Sequence, residues 1–308
     1  DADFYEGPMS SLTVDPETGM PNADTHLWGL PRDVSTFALY LNLDLIQKAG
    51  VEDPRELAKA GKSVLVVDAD VHAPSLVQLF GFDQNYSGLS AAIRLQTQGQ
   101  LDSESFDKLL LDFELPKQSL KVLAGLTMVN RWPELGFESM RALLRFARER
   151  FEFVVVDVAS SLEHSLVDAR LLSERNSATF AALACANHVV AVTTADVVGL
   201  NRFIWASTAL RELKLEAKVH VVVNRLNQDQ QGKRAAADIA RSIGEFAELD
   251  VSAFIEEDSS LFARALSEGV PVSLVRKNSS AKQSVAQFVL GQLLSLPSKT
   301  RRRVAKLG

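Results

Sequence analysis

The stretch GKSVLVVDAD at residues 61–70 contains the run VLVVD, which has no polar face. Such a run is typical of a strand covered on both sides, as in a parallel sheet flanked by helices. Comparable runs follow at residues 120–125, 153–157, 188–193, 220–224 and 251–255. Helical patterns separate them, and strands that alternate with helices indicate βαβ units. We therefore predict an α/β fold with a doubly wound, mostly parallel sheet over residues 61–297.

The composition is that of a folded globular protein. Hydrophobic residues make up 46% and charged residues 23% of the 308 residues, which excludes a disordered chain. The single cysteine, Cys185, excludes a disulfide framework. No apolar run reaches the roughly 18 residues that a membrane-spanning helix needs, so no span is predicted.

The charge is unevenly spread along the chain. Residues 1–60 hold 11 acidic and 4 basic side chains, whereas residues 61–308 hold 28 acidic and 29 basic ones. Residues 1–60 are also rich in Gly and Pro turn signals, and their one apolar stretch, Ser35 to Ala49, predicts a short strand and a helix that ends at Gly50. We expect this first segment to lack an independent core.

Polar side chains follow three of the predicted strands. Asp68 and Asp70 follow the first strand, Asp157 ends a second one, and Asn224 and Arg225 end a third. Carboxylates at neighbouring strand ends suit Mg²⁺, and an Asn side chain offers the donor and acceptor that read a purine edge. The alternative is that each Asp forms a turn or caps a helix.

Most of the second segment resembles the MinD/ParA family of P-loop ATPases. Residues 61–82 are similar to the strand and switch I region of that family, 151–163 to its Walker B and switch II region, and 219–227 to its base-recognition strand. Residues 124–135 and 174–190 resemble the subgroup related to CpaE and TadZ proteins, which help place pilus-secretion machinery or division sites.

The resemblance implies a cytoplasmic, dimeric switch that uses ATP and Mg²⁺. Asp70 would help to position the attacking water, Asp68 and Asp157 would serve the metal, and Asn224 with Arg225 would bind the adenine. The implied partners are a second copy of the chain and division or secretion machinery, with no specific nucleic acid. The basic tail, residues 298–308, predicts at most a weak association with a membrane surface.

The family's phosphate-binding loop is missing. Gly61-Lys62-Ser63 does not replace it, because the P-loop pattern needs a glycine where Glu56 stands, and because this tripeptide opens a strand and not a helix. The central strand that precedes the loop is missing as well. We therefore expect severely reduced ATP binding and leave the ATPase activity undecided. We also leave open whether Thr36–Leu41 fills the vacant strand position, between the strands of Asp68 and Asp157.

Residues 1–58 have a resemblance of their own. The stretch 26–57 is similar to extracellular sugar-binding proteins of ABC importers, in which Trp28 and Arg32-Asp33 would lie near the sugar. Most of both lobes of such a protein is absent, so no sugar cleft is expected. We interpret the chain as a chimera joined near residues 56–61. The alternative functions are a sugar-binding component of an ABC transporter and a non-hydrolysing scaffold.

Overall fold

The computed structural model describes residues 36–41, 63–82, 86–115, 118–162, 175–269, 272–275 and 279–293. The strands are β1 (Thr36–Leu41), β2 (Val64–Ala69), β3 (Leu111–Leu115), β4 (Gln118–Leu123), β5 (Phe153–Val158), β6 (His188–Thr194), β7 (Lys218–Leu226) and β8 (Val251–Glu256). The α-helices are α1 (Leu76–Leu79), α2 (Gly88–Thr97), α3 (Ser103–Asp107), α4 (Phe137–Arg148), α5 (Ser177–Cys185), α6 (Val197–Glu212), α7 (Gln228–Gln231), α8 (Ala235–Ala247), α9 (Ser259–Glu268), α10 (Val272–Val275) and α11 (Ser280–Phe288). A 3₁₀ helix spans Val129–Glu134, and one π-helical turn, Val289–Leu293, continues α11.

The strands form one eight-stranded sheet in the order β3-β4-β2-β5-β1-β6-β7-β8. Strands β4, β2 and β5 are parallel to one another, and so are β6, β7 and β8. Only β3 at one edge and β1 in the interior are antiparallel to their neighbours. The predicted α/β fold with a mostly parallel sheet is confirmed.

Helices cover both faces of the sheet. Leu65, Val67 and Val221 belong to the main hydrophobic core on one face, whereas the alternating residues Val66 and Val222 contact smaller clusters on the other. Helices α2, α4, α5 and α8 pack into the main core through Leu89, Leu144, Leu183 and Ile243. Helices α1 and α11 cover the opposite face. This two-sided burial explains why the strand sequences lack a polar face.

Strand β1 lies in the interior of the sheet, between β5 and β6. Its backbone pairs antiparallel with β5, where Thr36 is opposite Val158, and with β6, where Thr36 is opposite Ala191. The strands of Asp68 and Asp157, β2 and β5, pair directly with each other. Strand β1 therefore does not lie between them, the position considered from the sequence, but on the other side of β5. The helix predicted to end at Gly50 lies outside the described residues.

Several elements were not predicted from the sequence, among them strand β3 and helix α2. Strand β3 was missed because LDFEL is short and carries charged residues at alternate positions. Helix α2 was missed although Ser87 caps it by accepting a hydrogen bond from the Ser90 N–H. Neither element contributes a predicted site residue.

The central position of β1 makes its backbone essential. Leu39 is paired with Val155 on one side and His188 on the other. We predict that Leu39→Pro lowers the free energy of unfolding by about 2–3 kcal/mol or more, because proline removes an N–H from an interior strand. Urea unfolding followed by circular dichroism measures this change.

The matched control is Leu39→Val, which keeps the N–H and has a high strand propensity. It is expected to change the free energy of unfolding by less than about 1 kcal/mol. Equal effects of the two substitutions would contradict a paired interior position for Leu39.

Candidate functional site

Two carboxylates meet at the carboxyl ends of β2 and β5. Asp68 and Asp157 are register partners on these adjacent parallel strands. Both side chains are buried, with 1% of Asp68 and 8% of Asp157 exposed. Asp70 follows β2 by one residue and is half-buried. The structure therefore brings together the three carboxylates that were predicted to share one crevice.

The carboxylate of Asp68 holds the loop that follows its own strand. Its Oδ2 accepts hydrogen bonds from the backbone N–H groups of Ser75, at 2.9 Å, and Leu76, at 3.0 Å. Its Oδ1 accepts a longer one from the Asp70 N–H, at 3.3 Å. These bonds join the end of β2 to the start of α1. The turn-forming role considered for Asp68 is therefore present.

Gly125 packs directly against this carboxylate. A Cβ atom placed on Gly125 would lie 2.8 Å from Cγ and 2.9 Å from Oδ1 of Asp68. Real Cβ contacts are longer than this, so only glycine lets the chain after β4 pass so close to Asp68. Gly125 is a site residue that the sequence analysis missed.

Asp70 organises the rest of the same loop. Its Oδ1 accepts hydrogen bonds from the N–H groups of His72, at 2.8 Å, and Ala73, at 3.1 Å. The His72 Nε2 lies 2.8 Å from Oδ1 of Asn176, which requires the Nε2–H tautomer. Asn176 in turn donates to Ser161 Oγ at 3.4 Å. The loop after β2 is thus linked to the loop after β5 through His72 and Asn176, neither of which was predicted as a site residue.

Burial and neighbouring carboxylates raise the pKa of Asp68 and of Asp157. Burial, and then the negative charges of Asp68 and Asp70, raise the pKa of Asp157 to about 7. Burial also raises the pKa of Asp68 to about 6, although the backbone N–H groups that it accepts from oppose this rise. Among the described residues, no cationic side chain contributes to either shift. Asp68 and Asp157 therefore release their protons at higher pH than ordinary carboxyl groups do.

The carboxylates offer oxygen atoms of the kind that hard cations bind, but the described residues do not form a complete metal site. A carboxylate such as Asp157 is a ligand that Mg²⁺ prefers, but Mg²⁺ sites usually combine one or two carboxylates with water and phosphate. Within the described parts of the chain, no group of three or more His, Cys, Asp or Glu is arranged to hold a metal. The roles predicted for Asp68, Asp70 and Asp157 toward a metal or water stay predictions.

The described residues do not provide a phosphate-binding loop at this edge. Such a loop leaves the carboxyl end of a parallel strand and opens a helix whose N–H groups face the phosphate. Strand β1 runs the other way, so the chain enters β1 at this edge and leaves it at the opposite one. The residues described here therefore do not fit a bound triphosphate, and we derive no catalytic step through one.

Asn224 and Arg225 lie at the same edge but apart from the carboxylates. Asn224 is the register partner of Thr194, so β1 and β6 separate its strand from that of Asp157. Three strand spacings of about 4.8 Å separate the two strands by about 14 Å. The register places Asp157 level with His220, so Asn224 also lies four residues farther along its strand. The Asn224 Oδ1 accepts a hydrogen bond from the Arg225 N–H at 2.8 Å, and Arg225 has a positive φ of 60°. Their predicted role in binding adenine is untested.

A second loop beside Asn224 is held by another Asp. Asp196 caps α6 by accepting hydrogen bonds from the N–H groups of Val198 and Gly199, and its Oδ2 accepts from the Thr194 hydroxyl at 2.6 Å. A Cβ atom on Gly199 would lie 2.0 Å from the same hydroxyl oxygen. The pair Asp196-Gly199 therefore fixes how α6 leaves β6.

Solved structures share this arrangement of strands and helices. A ParA family ATPase from Chlorobium tepidum TLS matches with a TM-score of 0.57 at 16% identity, over 74% of this chain and 85% of that one. MinD of Aquifex aeolicus, in a complex with MinC, matches with a TM-score of 0.53 at 17% identity, over 81% and 86% of the two chains. The septum site-determining protein MinD of Pyrococcus horikoshii OT3, complexed with Mg-ADP, matches with a TM-score of 0.52 at 18% identity, over 82% and 86%. The chain has the fold of the MinD and ParA ATPases.

The likeness to MinD and ParA proteins concerns the fold. No protein-family model matches the chain, and no curated protein sequence does. The CpaE- and TadZ-related subgroup stays a prediction, because the fold does not test it. The chimeric junction at 56–61 and the sugar-binding resemblance of 1–58 also stay predictions, because these stretches lie largely outside the described residues. No helix in the described part of the chain has the length and apolarity to cross a membrane.

The raised pKa of Asp157 predicts a pH-dependent stability. The folded-state pKa of about 7 exceeds the unfolded value of 3.8, so the native state binds more protons and the free energy of unfolding falls as the pH rises from about 4 to about 7. We predict that Asp157→Asn is more stable than the wild type at pH 8 by a few kcal/mol, at about 1.4 kcal/mol per pKa unit. The difference should vanish towards pH 4.

Urea unfolding of both proteins between pH 4 and pH 8 measures this effect. The control is Asp107→Asn, which removes an exposed carboxylate on α3, and it should follow the wild-type curve. If Asp157→Asn followed that curve too, neither burial nor the neighbouring carboxylates would raise the pKa of Asp157 in the folded protein.

The contact between Gly125 and Asp68 predicts a second stability effect. Gly125→Ala should displace the Asp68 carboxylate from the N–H groups of Ser75 and Leu76 and lower the free energy of unfolding by about 1–3 kcal/mol. The control is Gly244→Ala on α8, where no atom lies within 4 Å of the added Cβ. That substitution should stabilise the protein by about 0.5–1 kcal/mol. A neutral Gly125→Ala would show that the loop does not depend on Asp68.

Proposed function

We propose that this chain is a MinD/ParA-type protein of the CpaE- and TadZ-related kind, which helps to place division or pilus-secretion machinery and acts as a scaffold with little or no binding of Mg·ATP. The observation that carries the proposal is the reversed direction of β1 between β5 and β6. The homodimer implied by the sequence resemblance is part of the proposal.

The direction of β1 bears on phosphate binding. In the MinD/ParA pattern the phosphate loop follows the strand that lies beside the Walker B strand, here β5, and it precedes a helix. A strand of opposite direction cannot be followed by a helix N-terminus at the same edge, so the N–H groups and the positive end of the helix dipole are lost together. This favours a protein that keeps the fold without the nucleotide switch.

The electrostatics of the carboxylates support the same proposal. Asp68, Asp70 and Asp157 form an anionic group, and the mutual repulsion contributes to the raised pKa of Asp157. A triphosphate that approached this group would be repelled unless cations offset both partners. The P-loop lysine of the family supplies such a cation. Among the described residues, no cationic side chain contributes to the pKa shifts of Asp68 and Asp157.

Thermal unfolding with and without Mg·ATP tests the proposal. A ligand at about 100 times its Kd adds roughly 2.7 kcal/mol, which raises the midpoint of a domain of this size by about 5–10 °C. We expect no rise for this chain at millimolar Mg·ATP, whereas the Pyrococcus horikoshii MinD, solved with Mg-ADP, serves as the positive control. A rise that Asp157→Asn abolishes would contradict the proposal.

The positioning role needs a cellular test. A fluorescent fusion of the whole chain, produced at its native level in its own cells, should form foci or a graded pattern at the poles or the division site. The pattern should be the same for Asp157→Asn, because the proposed scaffold works without nucleotide. An even distribution of the wild-type fusion would contradict a positioning role.

A further inference from the structure

A second concave site lies at the edge of the sheet opposite the carboxylates. It is a pocket of about 460 Å³ between α4, the end of α5 and the start of β7. Cys185 precedes β6 by three residues and Glu216 precedes β7 by two, so the pocket opens at the amino ends of these strands. Its wall includes Arg141, Arg145, Arg148, Cys185 and Glu216. We call it the arginine pocket.

The three arginines lie on one face of α4. Positions i, i+4 and i+7 of a helix project in the same direction, so the three guanidinium groups border one concavity. Glu216 is the single carboxylate of the pocket wall among the described residues. Arg141 also pairs with Glu138, at 3.2 Å, and the Glu138 side chain is mostly exposed. The three arginine charges repel one another at this spacing. An anion bound among them would offset that repulsion.

The spacing of the arginines limits the kind of anion. Arg141 and Arg148 are seven residues apart, which is about 10.5 Å along the helix axis at 1.5 Å per residue. A single phosphate or carboxylate contacts both ends of such a row only if the arginine side chains converge on it. Several linked phosphates match the row, and each guanidinium can donate two hydrogen bonds to one phosphate.

We propose that the arginine pocket binds a small molecule that carries two or more linked phosphate groups. Its volume lies within the roughly 300–1,000 Å³ typical of small-molecule sites. The phosphates lie along the row of guanidinium groups on α4, and the rest of the ligand lies towards Cys185 and the end of α5. A nucleic acid duplex fits less well, because the arginines surround a concavity and do not form a ridge along an open surface.

This site is independent of the proposed scaffold function. A six-residue strand such as β5 is about 20 Å long at 3.3 Å per residue, and the carboxylates and the arginine pocket lie at its opposite ends. A polyphosphate bound to the arginines would therefore not touch Asp157. Polyphosphate binding that persists in Asp157→Asn but is lost when the arginines are substituted would belong to this pocket alone.

Cys185 provides a direct readout of occupancy. It is the single cysteine of the chain and is partly exposed in the pocket wall. Burial raises the pKa of its thiol, so a thiol reagent such as DTNB is used at alkaline pH. Tripolyphosphate at about ten times its Kd should slow the modification of Cys185 about tenfold, because only the free protein reacts. Ionic strength is held constant with sodium chloride.

Substitutions of Arg145 test which groups hold the ligand. Arg145 is exposed on α4, so Arg145→Ala should fold, which the unfolding midpoint checks. We expect Arg145→Ala to lose most of the protection and Arg145→Lys to keep part of it, since lysine keeps the charge without the planar fork. The matched control is Arg241→Ala, which removes an exposed arginine on α8 that pairs with Asp238, and its protection should equal that of the wild type. Titration calorimetry with tripolyphosphate should show the same order of affinity.

Several outcomes would overturn the proposal. One is the same reaction rate of Cys185 with and without tripolyphosphate. Another is equal protection in Arg145→Ala and the wild type, or equal protection by sulfate, which would indicate general charge screening. Protection by a short DNA duplex but not by tripolyphosphate would assign the arginines to nucleic acid. Protection by tripolyphosphate that depends on Arg145 would support the pocket.

Discussion

The rest of the structure depends on the backbone pairing of β1 in the middle of the sheet. Without β1, the facing edges of β5 and β6 would leave two rows of N–H and C=O groups unpaired inside the protein, each costing about 1–3 kcal/mol. Residues Thr36–Leu41 close this gap with ladders to both neighbours. The sheet is then continuous over eight strands, and helices cover both of its faces.

The direction of β1 also shapes the chemistry at the carboxyl edge. A strand of either direction can satisfy the backbone groups of its neighbours, but only a parallel one would carry a loop and a helix towards the crevice. The sheet with the reversed β1 keeps the fold of the MinD and ParA ATPases, and the chain leaves β1 at the edge opposite the carboxylates. The described site is a set of carboxylates, in which Asp68 holds the loop after β2 and burial with the neighbouring negative charges raises the pKa of Asp157 to about 7.

Charge is divided between the two edges of the sheet. Carboxylates gather where the strands β2 and β5 end, and arginines of α4 gather where β6 and β7 begin. A fold of this type ordinarily binds anionic ligands at the carboxyl ends of its strands. In this chain the carboxylates of Asp68, Asp70 and Asp157 lie at that edge, and the arginine pocket lies at the other.

Much of the architecture followed from the sequence by itself. Runs such as VLVVD and FVVVD are apolar on both faces, which determines strands covered by helices, and parallel neighbours bring Asp68 and Asp157 to one edge. The place and direction of β1 were not determined in this way, because the alternation of TFALYL is the same whichever way the strand runs and whichever neighbours it has. The sequence also did not reveal that Gly125 touches Asp68, that His72 reaches Asn176, or that two strands separate Asn224 from Asp157. These relations join residues far apart in the chain, and only the packing of the strands and loops in three dimensions decides them.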